Sequence, residues 1–541
     1  MSSPQILPAE RESTEWMGFV GGPRNALVPV LLLAAGFVLR MSNAMWRFLN
    51  ADEALHYLLS VAPSVGAAEH ASLTTSHPPL LIVFLYYWGM LSHAEWFLRL
   101  PEVLAGTAFC WVLFSWLRRV RDQNTARMGF VLSLFAPALV LLSAEIRQYA
   151  FLLFASVVSL YFLDRGIEED SPGSMLLSAV ALYGALLVHY ASLIVALTLG
   201  IYAIVRWFGS RTRSATTLAW VAGQSGAIIV VAFLFLHHVS KLRARGQPEA
   251  VAETYAHRSI FWPGEEHWWT FVGRNTIRVF HYFFNQGAVG VLALLLFLGG
   301  IVVLVRSQHP VRPRQPASRQ LAFLFVLPFV VNSITGLLRL YPYGGSRHDV
   351  YLAIFAMPAI AIALAEWRPR REWWKPLAIA VALAACYLFP HAQDEYIRWR
   401  NQNRRLMTQA VATLSALPAN STIFTDDQGG LLLSYYLCHS RAVEIEQRPF
   451  QPFLETRCGD YRVISLDPNL WIFKAETFPD TLRRAQRTYD LPPRSPIWLF
   501  QAGWYVDQES GLRQELSHYG CTRTQDFGEN MFLCRLTVPG P

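Results

Sequence analysis

Eleven apolar stretches, separated by loops of alternating character, leave this chain few ways to fold. They lie near residues 25–48, 97–117, 128–143, 148–163, 174–189, 191–207, 217–236, 289–305, 320–338, 349–367 and 376–390. A bilayer crossing needs about 20 mainly apolar residues, and within hydrocarbon only helices and closed barrels satisfy every backbone polar group. The pattern predicts a polytopic α-helical membrane protein with about 11 transmembrane helices. Only 16% of the 541 residues are charged, against the ~25% usual in soluble domains.

Basic residues fill every second loop: Arg118, Arg119, Arg121 and Arg127; Arg165; Arg206, Arg211 and Arg213; Arg306, Arg312, Arg314 and Arg319; Arg368, Arg370, Arg371 and Lys375. Such alternation is the positive-inside pattern of cytoplasmic loops. The formal charge of +8 therefore reads as a topology signal, and no nucleic-acid partner is implied. An odd span count places an N-terminal segment, 1–24, in the cytoplasm and residues 391–541 outside. Residues 25–390 form the membrane domain, with external loops at 49–96 and 237–288. No cleavable signal precedes the first span, which stays as an anchor. The stretch 174–207 also fits a bent re-entrant pair.

The tail changes period. Strand-length runs S-T-I-F-T-D-D, Y-R-V-I-S-L-D and S-P-I-W-L-F-Q-A alternate with helical stretches at 403–417 and 481–489, which predicts an external C-terminal α/β domain. It holds Cys438, Cys458, Cys521 and Cys534. In an outward domain these suggest two disulfides, and proximity favours Cys438 with Cys458 and Cys521 with Cys534. No Walker loop or Gly-rich dinucleotide fingerprint occurs, which disfavours a nucleotide-driven pump.

Four outward stretches carry chemistry. In N-A-D-E-A-L-H-Y, Asp52 and Glu53 follow the first span. Asp52 could cap a juxtamembrane helix or act as a general base on an acceptor hydroxyl. His77 in S-H-P-P is either a helix-start residue or part of the same site. Glu145, Arg147 and Tyr149 lie in A-E-I-R-Q-Y; a Glu–Arg pair could close a hairpin, or Arg147 could hold a phosphate with its planar fork. In Y-P-Y-G-G-S-R-H-D, two glycines, Ser346, Arg347 and His348 make either a tight turn or an anion site at a helix start. His56, Tyr343 and Trp268 are further substrate-binding candidates. Together the four stretches supply carboxylates and phosphate-holding cations at one face of a membrane.

These elements resemble the GT-C glycosyltransferases, in the branch that includes protein O-mannosyltransferases and the lipid A aminoarabinose transferase (glycosyltransferase family 39-like). The resemblance rests on the acidic pair after the first span, H-P-P in the same loop, R-x-Y-A after the third span and G-G-S-R-H before a late span. It implies a polyprenyl-phosphate sugar donor, displacement with inversion, and a glycan, lipid or protein acceptor at the outer face of a bacterial inner membrane. Asp52 matches the catalytic carboxylate and Glu53 its companion. Arg147 with Tyr149, and Arg347 with His348, match positions near the donor phosphate. Some relatives bind a divalent metal (Mg, Mn or Zn), for which Glu53, Glu145 and His77 are candidate ligands, and others need none. A secondary transporter, or a scaffold whose external domain binds a partner, are the alternatives; a transporter would place its charges at midplane.

Overall fold

The computed structural model describes residues 22–208, 214–244, 257–307, 314–367, 374–389, 403–438, 452–467, 472–491, 496–502, 506–521, 524–528 and 531–536. Most of the expected cytoplasmic segment 1–24, the basic residues Arg211, Arg213, Arg312, Arg368, Arg370 and Arg371, and the expected domain boundary at 390–391 lie outside them.

The membrane domain begins with α1 (Gly22–Trp46), followed by three short helices, α2 (Ala51–Ser60), α3 (Val65–Ser72) and α4 (Leu80–Gly89). Next come α5 (Glu95–Val120), α6 (Gln123–Phe135), α7 (Pro137–Leu142), α8 (Tyr149–Glu169), α9 (Pro172–Val188), α10 (Ser192–Trp207) and α11 (Ser214–Leu234). A π-helical turn, Phe235–Val239, carries α11 into α12 (Ser240–Ala244). The domain ends with α13 (Trp268–Phe284), α14 (Gly287–Arg306), α15 (Ser318–Leu337), a 3-10 segment Arg347–Leu352 running into α16 (Ala353–Glu366), and α17 (Trp374–Leu388).

The described parts of the eleven apolar stretches are mainly helical, and among the described residues seven helices are long and apolar enough to cross a membrane. The 128–143 stretch departs from the expected single span. It breaks at Ala136, which is extended (ψ 125°) ahead of Pro137, because a residue before proline is pushed out of the helical region. The 174–207 stretch is two helices meeting at His189, whose backbone is extended (φ −156°). One buried acid ties three helices together. Asp164 accepts from Trp116 Nε1 (2.8 Å) and Tyr202 OH (3.0 Å) and lies 3.3 Å from Arg206, tying α5, α8 and α10 together.

The tail folds into a six-stranded sheet of β1 (Thr422–Thr425), β2 (Phe453–Cys458), β3 (Tyr461–Leu466), β4 (Ile497–Ala502), β5 (Thr524–Asp526) and β6 (Met531–Leu536). The order is β2-β3-β1-β4-β6-β5. The adjacent strands β3, β1 and β4 run parallel; β2 is antiparallel to β3, β6 to β4, and β5 to β6. Helices α18 (Arg404–Ser415), α19 (Asp427–Tyr436), α20 (Phe478–Thr488) and α21 (Val506–Ser517) join the strands. Disulfides link Cys438 to Cys458 and Cys521 to Cys534.

One face of this sheet is also the dock to the membrane domain. Phe48 and Ala54 pack in the same cluster as Met407, Leu414, Leu433 and Phe500, so α2 is clamped between the rest of the membrane domain and the tail. Tyr436 OH accepts from the Leu49 N–H (2.9 Å) and donates to Glu95 (2.9 Å), while Tyr435 OH donates to the His93 carbonyl (2.7 Å). Truncating Phe48, 7% exposed, to Ala should cost about 3–5 kcal/mol of docking and packing. The expected readout is a lower unfolding midpoint with faster proteolytic release of the tail; an unchanged digestion pattern would mean the tail is held elsewhere.

Candidate active site

The site is aimed by the first turn of α2. Asn50 caps this helix by accepting from the Glu53 N–H, and Glu53 returns the bond to the Asn50 N–H (2.9 Å each), a reciprocal capping box. The helix-capping role considered for Asp52 is therefore filled by its neighbours. Glu53 is fully buried and receives both arms of Arg99, Nε at 2.7 Å and Nη2 at 2.7 Å, together with the Ile146 N–H at 2.8 Å. The rest of Arg99 grips the end of α1 through the carbonyls of Ala44, Arg47 and Phe48 at 2.7, 2.7 and 2.9 Å.

Successive helical residues point about 100° apart, so fixing Glu53 inward turns Asp52 to the outer face. There Asp52 Oδ2 lies 2.8 Å from Arg147 Nη1 and 3.0 Å from Arg347 Nη1, with its side chain 26% exposed. The anchored Ile146 divides its neighbours. Glu145 turns back to Arg47 and Asn50 (3.4 Å each), while Arg147 turns to Asp52. The Glu145–Arg147 hairpin pair considered from the sequence does not form.

Arg347 is delivered by a loop built around buried Asp349. That carboxylate accepts from Asn332 Nδ2 (2.7 Å), the Gly344 N–H (3.0 Å) and Ser346 OH (3.4 Å). Gly344 (φ +144°) and Gly345 (φ +68°) are required here, since an added Cβ would meet Asn275 and the Arg278 backbone at 2.5 and 2.6 Å. The two glycines thus let the loop approach α13 closely. The Gly344 N–H is taken by Asp349 and the His348 N–H by Ser346, so the loop presents the Arg347 guanidinium to the site through a side chain.

A row of rings lines the same place. His56 lies 5.9 Å from His77, His77 5.3 Å from His189, and His189 6.3 Å from His348, with Tyr149 5.2 Å from His189 and under the Arg147 guanidinium at 5.7 Å. His56 Nδ1 is 2.6 Å from the Asp52 carbonyl, and His189 Nδ1 accepts from the Ala191 N–H at 3.0 Å. These contacts make His56 Nε2 an acceptor and His189 Nε2 a donor. Both atoms are buried and unpartnered among the described residues, as are Arg147 Nε and the whole Gln148 amide. Buried polar atoms are normally satisfied, so a cluster left open among the described residues, beside two guanidinium groups, is a candidate ligand position.

Electrostatics sort these groups. Burial pushes the Asp52 carboxyl up, but Arg147 and Arg347 outweigh it and hold the group below the usual carboxylate value. Burial, reinforced by Arg147, lowers His56 to about 4 and His189 to about 3, and lowers His77 well below its ordinary value. The imidazoles are neutral. Burial raises Glu145 to about 7 despite Arg47.

The model of the dolichyl-phosphate-mannose-protein mannosyltransferase family matches residues 76–236, the stretch from H-P-P through α11. No curated protein matches the sequence significantly. Among solved structures, ArnT from Cupriavidus metallidurans in the apo state aligns over 96% of this chain and 100% of its own, at 13% identity and a TM-score of 0.55. The chain has the GT-C fold. The same ArnT bound to undecaprenyl phosphate aligns over 95% of this chain and 98% of its own, at 14% identity and a TM-score of 0.54.

Within this GT-C membrane domain the candidates separate. Asp52, His56, His77, Arg147, Tyr149, Arg347 and His348 share one site. Trp268 is 57% exposed at the start of α13, and Tyr343 is buried with its hydroxyl 2.6 Å from Thr276; no contact joins either to Asp52. The metal candidates do not converge: Glu53 is held by Arg99, Glu145 by Arg47, and His77 by other rings. No group of three or more His, Cys, Asp or Glu among the described residues is placed to hold a metal ion, so the residues present do not fit one. Arg99, His189 and Gln148 went unremarked in the sequence. A His and an Arg interrupting apolar runs are the signals that could have found His189 and Arg99.

Removing Arg99 should leave Glu53 as an uncompensated buried charge, costing about 3–5 kcal/mol. Arg99→Ala is expected to lower the unfolding midpoint in detergent sharply, with Arg99→Lys a poor rescue because it cannot make the fork. Glu145 predicts a pH effect of defined sign. Its folded pKa of about 7 lies above the ordinary carboxylate value, so its contribution is full below about pH 4.3 and is lost as pH rises through 7. Glu145→Gln should flatten the stability curve over that window; an unchanged curve would exclude Glu145 as its source.

Proposed function

We propose that this chain is an integral-membrane glycosyltransferase. It moves a sugar from a polyprenyl-phosphate donor to an acceptor hydroxyl at the outer face of a bacterial inner membrane, with inversion at the anomeric carbon and its sheet domain external. The observation that carries the reading is the Asp52 carboxylate held between Arg147 and Arg347, guanidinium groups from separate parts of the chain. A phosphate is a good leaving group, so the chemistry needs charge stabilisation on the departing oxygens and a base for the attacking hydroxyl. Two arginines supply the first and Asp52 the second.

The two roles are coupled. A donor phosphate competes for the guanidinium groups that now neutralise Asp52, and each arginine it draws away returns basicity to the carboxylate. Arg147 Nε and His189 Nε2, both open donors, would complete the phosphate cradle, with Tyr149 supporting Arg147 through its ring face. His56, His77 and His348, next to the carboxylate, would line the sugar. Glu53, buried and fully bonded, acts as a positioning residue. The printed ligand of ArnT, undecaprenyl phosphate, belongs to the donor class proposed.

Asp52→Asn should lower turnover with polyprenyl-phosphate sugars by about 10²–10⁴-fold, the usual worth of a positioned base. Arg147→Lys and Arg347→Lys should each weaken donor use more than acceptor use, since the fork is lost. Because Asp52 is held below its ordinary value, the acidic limb of kcat/KM should fall below about pH 4. Asp52→Asn retaining wild-type turnover would remove the proposed base.

A further inference from the structure

A second cleft lies on the other side of α2, between the membrane domain and the tail. It encloses about 550 Å³, and its walls include Tyr57, Glu95, Arg404, Thr408, Tyr435 and Tyr436. The volume falls in the ~300–1,000 Å³ range of small-ligand sites. Glu95 at its floor is 6% exposed. One oxygen, Oε1, accepts from Tyr436 OH at 2.9 Å and lies 3.8 Å from Arg404 Nε. The other, Oε2, is buried and has no partner among the described residues. An unsatisfied buried carboxylate oxygen inside a formed cavity is an acceptor waiting for a donor.

The wall chemistry selects that donor. Tyr435 and Tyr57 meet edge to face at 5.4 Å, and Tyr436 packs on Tyr435 at 4.7 Å, giving an aromatic corner. A cation at Glu95 would meet Arg404, and an anion at Arg404 would meet Glu95. A neutral ligand with several hydroxyls can use both, donating to Glu95 Oε2 and accepting from Arg404 and from the exposed Thr408, while its C–H face covers an aromatic ring. We propose that this cleft binds a neutral sugar ring, as a docking subsite for a glycan-bearing acceptor. The proposal rests on the transferase reading and deepens it by naming the acceptor class. Tyr436 also holds the Leu49 N–H, one residue before the cap of the helix that carries Asp52, so a ligand seated on Glu95 and Tyr436 lies one bonded step from the catalytic turn.

The test is saturation-transfer NMR on the full-length protein in detergent. The probes are neutral β-linked disaccharides of glucose, galactose and N-acetylglucosamine, with glucosamine, glucuronate and glycerol phosphate as charged and headgroup controls. Saturation of the neutral disaccharides is expected, weakened about tenfold by Glu95→Gln, the scale of one lost charge-assisted hydrogen bond. Thr408→Trp, at an exposed helix position, fills the cleft without disturbing the core and should abolish the signal. Asp52→Asn should leave binding intact. No saturation with any neutral disaccharide, an undiminished signal in Thr408→Trp, or preference for glucuronate, glucosamine or glycerol phosphate would each overturn the proposal. Turnover without disaccharide binding would refute the subsite alone, whereas disaccharide binding without turnover would refute the transferase reading alone.

Discussion

The buried pair of Glu53 and Arg99 is the joint on which the candidate site is assembled. Both side chains are fully buried, and their two bonds of 2.7 Å are surrounded by backbone groups from three places: the end of α1, the cap of α2 and the turn before α8. Replacing water around two charges is costly, and the cost is offset only when every lone pair and N–H finds a partner. Here the partners are the backbone groups that must be brought together for Asp52, Arg147 and the first turn of α2 to meet. The pair also settles the phase of α2. With Glu53 committed inward, Asp52 has only the outer face, and the alternation about Ile146 places Arg147 opposite it.

The site is poised by unpaired chemistry more than by paired chemistry. Two arginines hold one carboxylate, while imidazoles kept neutral by burial and by those same arginines stand around it. An incoming anion would relieve a concentration of positive charge, complete the open donors on Arg147 and His189, and release the carboxylate, all through one contact. Such coupling between binding and activation follows from sharing Asp52 between both arginines; a carboxylate with its own private partner would gain nothing when the anion arrives. The tail encloses this arrangement, packing α19 against α2 and adding Tyr435 and Tyr436 to its far side.

Much of this was legible in the residues. The apolar stretches gave the helices, because a hydrocarbon layer leaves so few solutions, and the strand-length runs of the tail gave β1, β3 and β4. Sidedness gathered Asp52, His77, Arg147 and Arg347 before any geometry was known. What could not be read was how Glu53 is held, and therefore which way each acid of the pair faces. That depends on the phase of α2 relative to Arg99, 46 positions along the chain, and W-F-L-R-L offers no local sign of its partner. The break at Ala136 was signalled by Pro137 yet lay inside a run apolar enough to read as one span. His189 was hidden because a single His between two apolar helices resembles an ordinary connection, and Trp268 drew attention only by its aromatic neighbours.

The central claim is that a phosphate and Asp52 compete for the same two guanidinium groups, and binding of undecaprenyl phosphate to the purified protein tests it most directly. If the claim holds, Asp52→Asn binds the lipid phosphate more tightly than wild type, by about tenfold for a released charge-assisted contact, and Arg147→Gln and Arg347→Gln bind it more weakly. Equal or weaker binding by Asp52→Asn, or undiminished binding by both arginine variants, would contradict it.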